Sequence, residues 1–228
     1  MATSGTTSFS PDIGEMVEEA FERAGLEVRS GYDLKTARRS LDFLLAEWAN
    51  RGLNLWTIAE DTITLVAGQD EYDLPTDCVD LIEHVCRTQI NGQNTDITLQ
   101  RISVSTYAQI PNKGTTGRPY QIYVKRDLAP TCKVWPIPDT STTYTLVFWY
   151  LRRIEDSGQR ADLTFDIPFR FYNALVAGLA YMIALKKPEA YERVPMLKDM
   201  YEEAFNLAAD EDRDRASVRF LPFSGYQL

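Results

Sequence analysis

The chain has 228 residues, 44% of them hydrophobic and 25% charged, and a formal net charge of -9. This is an ordinary globular balance, sufficient for one large domain or two small ones with a real core. The acidic charge argues against a protein that wraps nucleic acid, which needs a basic face, but it does not exclude a wall that DNA slides past.

Three cysteines, Cys78, Cys86 and Cys132, form a sparse and odd set. They do not make a disulfide framework, and they point to a reducing compartment. Met1 to Ser10 is rich in Ser and Thr, with neither the basic start nor the apolar run of a signal peptide. The most apolar stretch, Phe171 to Leu185, is shorter than the ~20 residues a bilayer span needs, so no membrane association is expected.

In chain order, Ser10-Pro11-Asp12 reads as a helix start, with Ser10 as N-cap and proline at the first helical position. Ile13, Val17, Ala20, Phe21 and Ala24 recur at helical spacing, and Gly25 is a natural stop. Asp33 reads as a second N-cap. Leu34, Ala37, Leu41, Leu44, Leu45 and Trp48 then form one apolar face, opposite Lys35, Arg38, Arg39, Asp42 and Glu47. The two helices form an antiparallel pair.

From Thr57 the pattern turns to strands. Thr62 to Val66, Leu81 to Thr88, Tyr120 to Val124, Thr131 to Trp135 and Thr143 to Leu151 all fit, and Asn91-Gly92 marks a hairpin turn. Pro and Gly clusters at 111–119 and 136–139 separate them, which predicts a small antiparallel sheet or sandwich. Helical spacing returns after Ile167-Pro168 in a helix apolar almost all round, a buried one. Pro188 breaks it, and Val194 to Ala208 form a further helix. The predicted fold class is α+β. A four-helix bundle (10–55 with 166–212) carries an inserted antiparallel β-rich subdomain (56–165) and an extended C-terminal tail (213–228).

That tail carries Phe220, Leu221, Phe223, Tyr226 and Leu228 without helical or strand period. It either folds back on its own domain or docks on a neighbouring subunit or partner. Burying five such side chains yields about 7–15 kcal/mol at ~1.5–3 each. Ordering the tail and losing translational freedom costs a similar amount. A single tail therefore binds weakly, and a ring in which every copy docks gains by effective concentration.

Catalytic chemistry is sparse. The one histidine, His84, lies in a predicted strand, two residues from Cys86. There is no Gly-x-Ser-x-Gly elbow and no Gly-rich phosphate loop, and no carboxylate pair stands out. Neither a metal site nor a cofactor is expected, because the Cys and His spacing matches no zinc pattern. Trp135, Tyr144, Phe148, Trp149 and Tyr150 offer either core residues or a platform for sugar or bases.

Glu71-Tyr72-Asp73-Leu74-Pro75-Thr76-Asp77 ahead of Leu81-Ile82 resembles a phrase in the head-to-tail adaptor proteins of short-tailed phages. Gly117-Arg118-Pro119-Tyr120-Gln121-Ile122-Tyr123, Val134-Trp135-Pro136-Ile137-Pro138-Asp139 and Asp166-Ile167-Pro168 resemble others, in the same order. The resemblance implies a non-enzymatic virion protein, assembled in the host cytoplasm and placed at the head–tail junction. It implies a ring, commonly twelve-fold, beneath the portal protein. Such a ring extends the DNA channel without sequence-specific binding and docks the tail or nozzle protein. Phe220, Leu221, Phe223, Tyr226 and Leu228 would be its contacts with the portal or a neighbouring subunit. A tail-associated peptidoglycan-cleaving enzyme and a carbohydrate-binding module are the alternatives.

Overall fold

Helix α1 spans Ile13–Ala24, and its N-cap is Asp12, not Ser10. Asp12 Oδ1 accepts the Glu15 N–H at 2.8 Å, and Glu15 Oε2 accepts the Asp12 N–H at 3.1 Å. This reciprocal box satisfies two end donors at once, which a Ser10 start cannot do, because no acidic residue stands three positions on. Gly25 closes the helix at φ 73°, where a side chain would strain the backbone. The computed structural model describes residues 5–29, 31–52, 55–90, 92–158, 160 and 163–213. The predicted contacts Phe220, Leu221, Phe223, Tyr226 and Leu228 lie outside the described residues.

Helix α2 spans Gly31–Arg51, so Asp33 sits inside its first turn and is not the N-cap. Its buried carboxylate is engaged elsewhere: it accepts the Arg29 N–H at 3.3 Å and pairs with Lys187 Nζ at 2.8 Å. Asp42, expected on a solvated face, accepts the Ser157 N–H at 2.9 Å and ties a distant loop to the helix.

After a 3-10 turn at Leu55–Thr57 come strands β1 (Ile58–Leu65), β2 (Glu71–Asp73), β3 (Cys78–Ile90), β4 (Gln93–Thr98) and β5 (Gln100–Arg101). A short helix, α3, covers Val104–Gln109, and strands β6 (Gln121–Lys125), β7 (Thr131–Trp135) and β8 (Tyr144–Arg152) follow. One sheet runs β1-β8-β3-β4 and the other β2-β7-β6-β5. All pairings are antiparallel except β5 with β6. The hairpin falls where Asn91-Gly92 predicts it, with Ile90 paired to Gln93. A register shift between Leu81 and Glu83 leaves both Leu81 and His84 buried despite their odd spacing. Tyr72, Cys132, Ile122, Leu146 and Phe148 belong to one apolar core that both sheets share.

Helix α4 (Tyr172–Ala184) follows a 3-10 turn at Phe169–Phe171, and α5 (Val194–Glu211) follows another at Pro188–Arg193. The small residues of α4 let its neighbours close in. A Cβ at Gly178 would stand 2.8 Å from Tyr201 and 2.9 Å from Leu44. A second apolar core takes residues from α1, α2, α4 and α5. Trp48 lies fully buried within it, with ring centroids 5.5 Å from Phe171 and 5.4 Å from Phe205. Its Nε1 donates to Tyr201 Oη at 2.9 Å. Arg51 closes this end, its guanidinium 4.7 Å from the Phe205 ring centroid and paired with Glu47 and Glu202.

The architecture is α+β, with five α-helices and two mainly antiparallel sheets among the described residues. The fifth helix, α3, was not expected. None of its residues is buried, so no apolar period betrays it, and Ser103 caps it by accepting the Thr106 N–H at 3.2 Å.

Candidate docking surface

The residues that chemistry would use are enclosed. His84 and Cys86 share the inner face of β3, and both are buried. Burial pushes the His84 imidazole below its usual range, and Arg101 adds to the effect. Burial likewise pushes the Cys78 and Cys86 thiols up to about 11 and the Cys132 thiol up to about 12. Thiols held protonated are poor nucleophiles and poor ligands. No group of three or more His, Cys, Asp or Glu able to hold a metal ion occurs among the described residues.

Tyr144, Phe148 and Tyr150 are core residues, each less than a tenth exposed. Trp135 donates its indole N–H to the Asn112 carbonyl at 3.2 Å and meets Tyr120 edge-on at 5.1 Å. Most of the aromatics that a sugar platform would use are thus engaged in packing. A small pocket beside Tyr32 is satisfied internally, with Lys186 bonded to Ser40 and the Thr36 carbonyl and Lys187 bonded to Asp33.

What remains open is a groove of about 1240 Å³ between residues 6–11, α1 and α4. Phe9, Pro11, Met16, Phe169, Tyr172 and Val176 give it an apolar lining. Phe9 and Phe169 are 78% and 77% exposed, and Phe9 meets Tyr172 edge-on at 6.4 Å. Singly exposed apolar residues are common, but a contiguous set with a polar rim marks a docking site.

That rim is Glu15, Glu18, Glu19 and Glu22. Glu15 is held in the cap box, and Glu19 pairs with Arg23 at 2.8 Å. Arg23 also reaches Asn173 of α4, at 2.9 Å. Glu18 and Glu22 have no ion pair among the described residues. The sequence pattern presents Glu15, Glu18 and Glu19 as a solvated helix face and gives no sign of the apolar wall beside it. Phe9 and Phe169 stand outside every helical period, and the only local signal is that each lies close to a proline that opens a helix.

Near the groove, Arg170 pairs with Asp212 at the end of α5. Asp212 also accepts the Leu55 N–H at 2.9 Å. The end of the last described helix is thereby fixed at Arg170, the residue after Phe169. A second apolar surface runs along α5, where Met196, Met200 and Leu207 are exposed. Among the described residues no helix is long and apolar enough to cross a membrane.

Two enclosed cores and exposed apolar surfaces define a class of protein that works by docking. The model of the SU10 adaptor protein family matches residues 11–221, nearly the whole chain, and the chain belongs to that family. It is a phage adaptor, a structural component of the virion that interacts with other phage structural proteins in a complex. Among curated proteins none matches it.

Proposed function

We propose that this adaptor is of the short-tailed-phage type and forms a ring beneath the portal protein. The ring, commonly twelve-fold, extends the DNA channel, helps retain the packaged genome and releases it at ejection, and docks the tail or nozzle protein. The observation that carries this reading is the family match over residues 11–221. The net charge of -9 supports it, since an acidic wall lets DNA slide without sequence-specific binding. The exposed Met196, Met200 and Leu207 of α5 give a neighbouring copy an apolar surface to meet.

In this reading residues 10–55 and 166–212 act as a four-helix bundle. Residues 56–165 are an inserted sandwich, and 213–228 are a tail. Phe220, Leu221, Phe223, Tyr226 and Leu228 anchor that tail on the portal. The chain takes no catalytic role. It is assembled in the host cytoplasm and resides at the head–tail junction.

The role of the tail has a direct test. Deleting Ala216 to Leu228 is expected to abolish co-sedimentation with portal while leaving the helical circular-dichroism signal intact. Unchanged binding would sink this role.

A further inference from the structure

We propose that, in the free subunit, the groove between α1 and α4 holds residues 214–228 of the same chain. Only the tail's later transfer to portal rests on the function proposed above. Occupation of the groove does not.

The first argument is position. Arg170 and the Leu55 N–H hold Asp212, and Arg170 adjoins Phe169, which lines the groove. Asp212 is therefore held at Arg170, whose neighbour in sequence lines the groove. Fifteen residues reach up to about 50 Å when extended. The α1 wall from Glu15 to Arg23 is about 12 Å long at ~1.5 Å per residue, so the reach is ample.

The second argument is chemistry. Residues 214–228 carry Arg215 and Arg219 beside a single acidic side chain, Asp214, and then Phe220, Leu221, Phe223, Tyr226 and Leu228. The groove offers Glu18 and Glu22, without an ion pair among the described residues, and an apolar lining around Phe9, Phe169 and Tyr172. Charge and apolar surface complement each other on both sides. Small residues and a proline in the segment (Ala216, Ser217, Pro222, Ser224, Gly225) suit an extended path over a surface.

The tether favours this chain over a second copy. A short tether sets an effective concentration in the mM range, well above that of free subunits in solution. The groove then shields the tail's apolar side chains until a stronger site competes for them.

Photo-cross-linking of the full chain tests this. Phe223 is replaced by p-benzoylphenylalanine, the protein is irradiated without partners, and the products are mapped by mass spectrometry. The expected product has the mass of one chain, with the cross-link in residues 13–23 or 169–176. The double substitution E18K/E22K lies on an exposed helix face and should keep the helical circular dichroism. It is expected to lower the yield of that product about fivefold, the scale of two surface ion pairs. A cross-link elsewhere on the chain, a product of two chains, no product, or an unchanged yield in E18K/E22K would each overturn the proposal. An internal cross-link that persists when portal is added supports the groove and counts against the tail's portal role, so the two readings fail separately.

Discussion

Replacing Trp48 with alanine is expected to destabilise the helical core by about 3–5 kcal/mol, the range for deleting a buried aromatic. Trp48 is fully buried and touches residues from two other segments, the turn before α4 and helix α5. Phe171 and Phe205 pack against its ring at 5.5 and 5.4 Å, and its Nε1 donates to Tyr201 Oη at 2.9 Å. The neighbours cannot easily collapse into the gap, because α4 is already in close contact with Tyr201 and Leu44 at Gly178. The substitution also leaves the Tyr201 hydroxyl, among the described residues, with only its long hydrogen bond to Glu47, at 3.3 Å. Urea unfolding followed by far-ultraviolet circular dichroism reads the effect as a lowered midpoint. Trp48→Phe should recover most of it, since the ring contacts survive and only the hydrogen bond and one ring are lost. A shift below about 1 kcal/mol for Trp48→Ala would show that this residue does not organise the core.

Asp212→Ala is expected to cost about 2–3 kcal/mol, although it is only the C-cap residue that follows α5. Its side chain is 3% exposed and that of Arg170 is 29% exposed, so the pair is largely out of water. Breaking such a pair from one side leaves an uncompensated cation, which costs more than the pair itself contributes. Arg170 Nε is already buried without a hydrogen-bond partner, and the Leu55 N–H would lose its acceptor as well. A double-mutant cycle with Arg170→Ala, read by urea unfolding, should show the two losses to be strongly non-additive. Additive losses would mean that the two residues act independently and that the end of α5 is fixed by other contacts.

The sequence reveals the helices wherever apolar residues repeat on one face. Ile13 to Ala24 and the stripe ending at Trp48 are where periodicity puts them, and Gly25 stops α1 as its backbone freedom suggests. The strands at 121–125, 131–135 and 144–152 follow alternation and turn residues closely. Helix starts are harder to place, because a start is decided by which side chain completes a cap, not by which can. Asp12 prevails over Ser10 through Glu15, and Asp33 is committed to Lys187, 154 residues away.

Pairing is harder still. Nothing local says that β1 lies against β8, or that two residues of β5 run parallel to β6. The candidate docking site divides in the same way. The tail residues proposed to dock, Phe220, Leu221, Phe223, Tyr226 and Leu228, are conspicuous in the sequence because they are apolar and aperiodic. The groove is invisible there, because Phe9 and Phe169 come to line one groove only through the packing of α1 on α4.

These features describe a subunit whose enclosed cores leave its work to its surfaces, as suits a phage adaptor. Those surfaces are proposed to build a ring on the portal. Electron microscopy of the protein mixed with purified portal tests this most directly. A ring of adaptor subunits on one face of the portal, coaxial with its channel, is the expected result. Portal particles without added density, or adaptor bound off the axis, would contradict it.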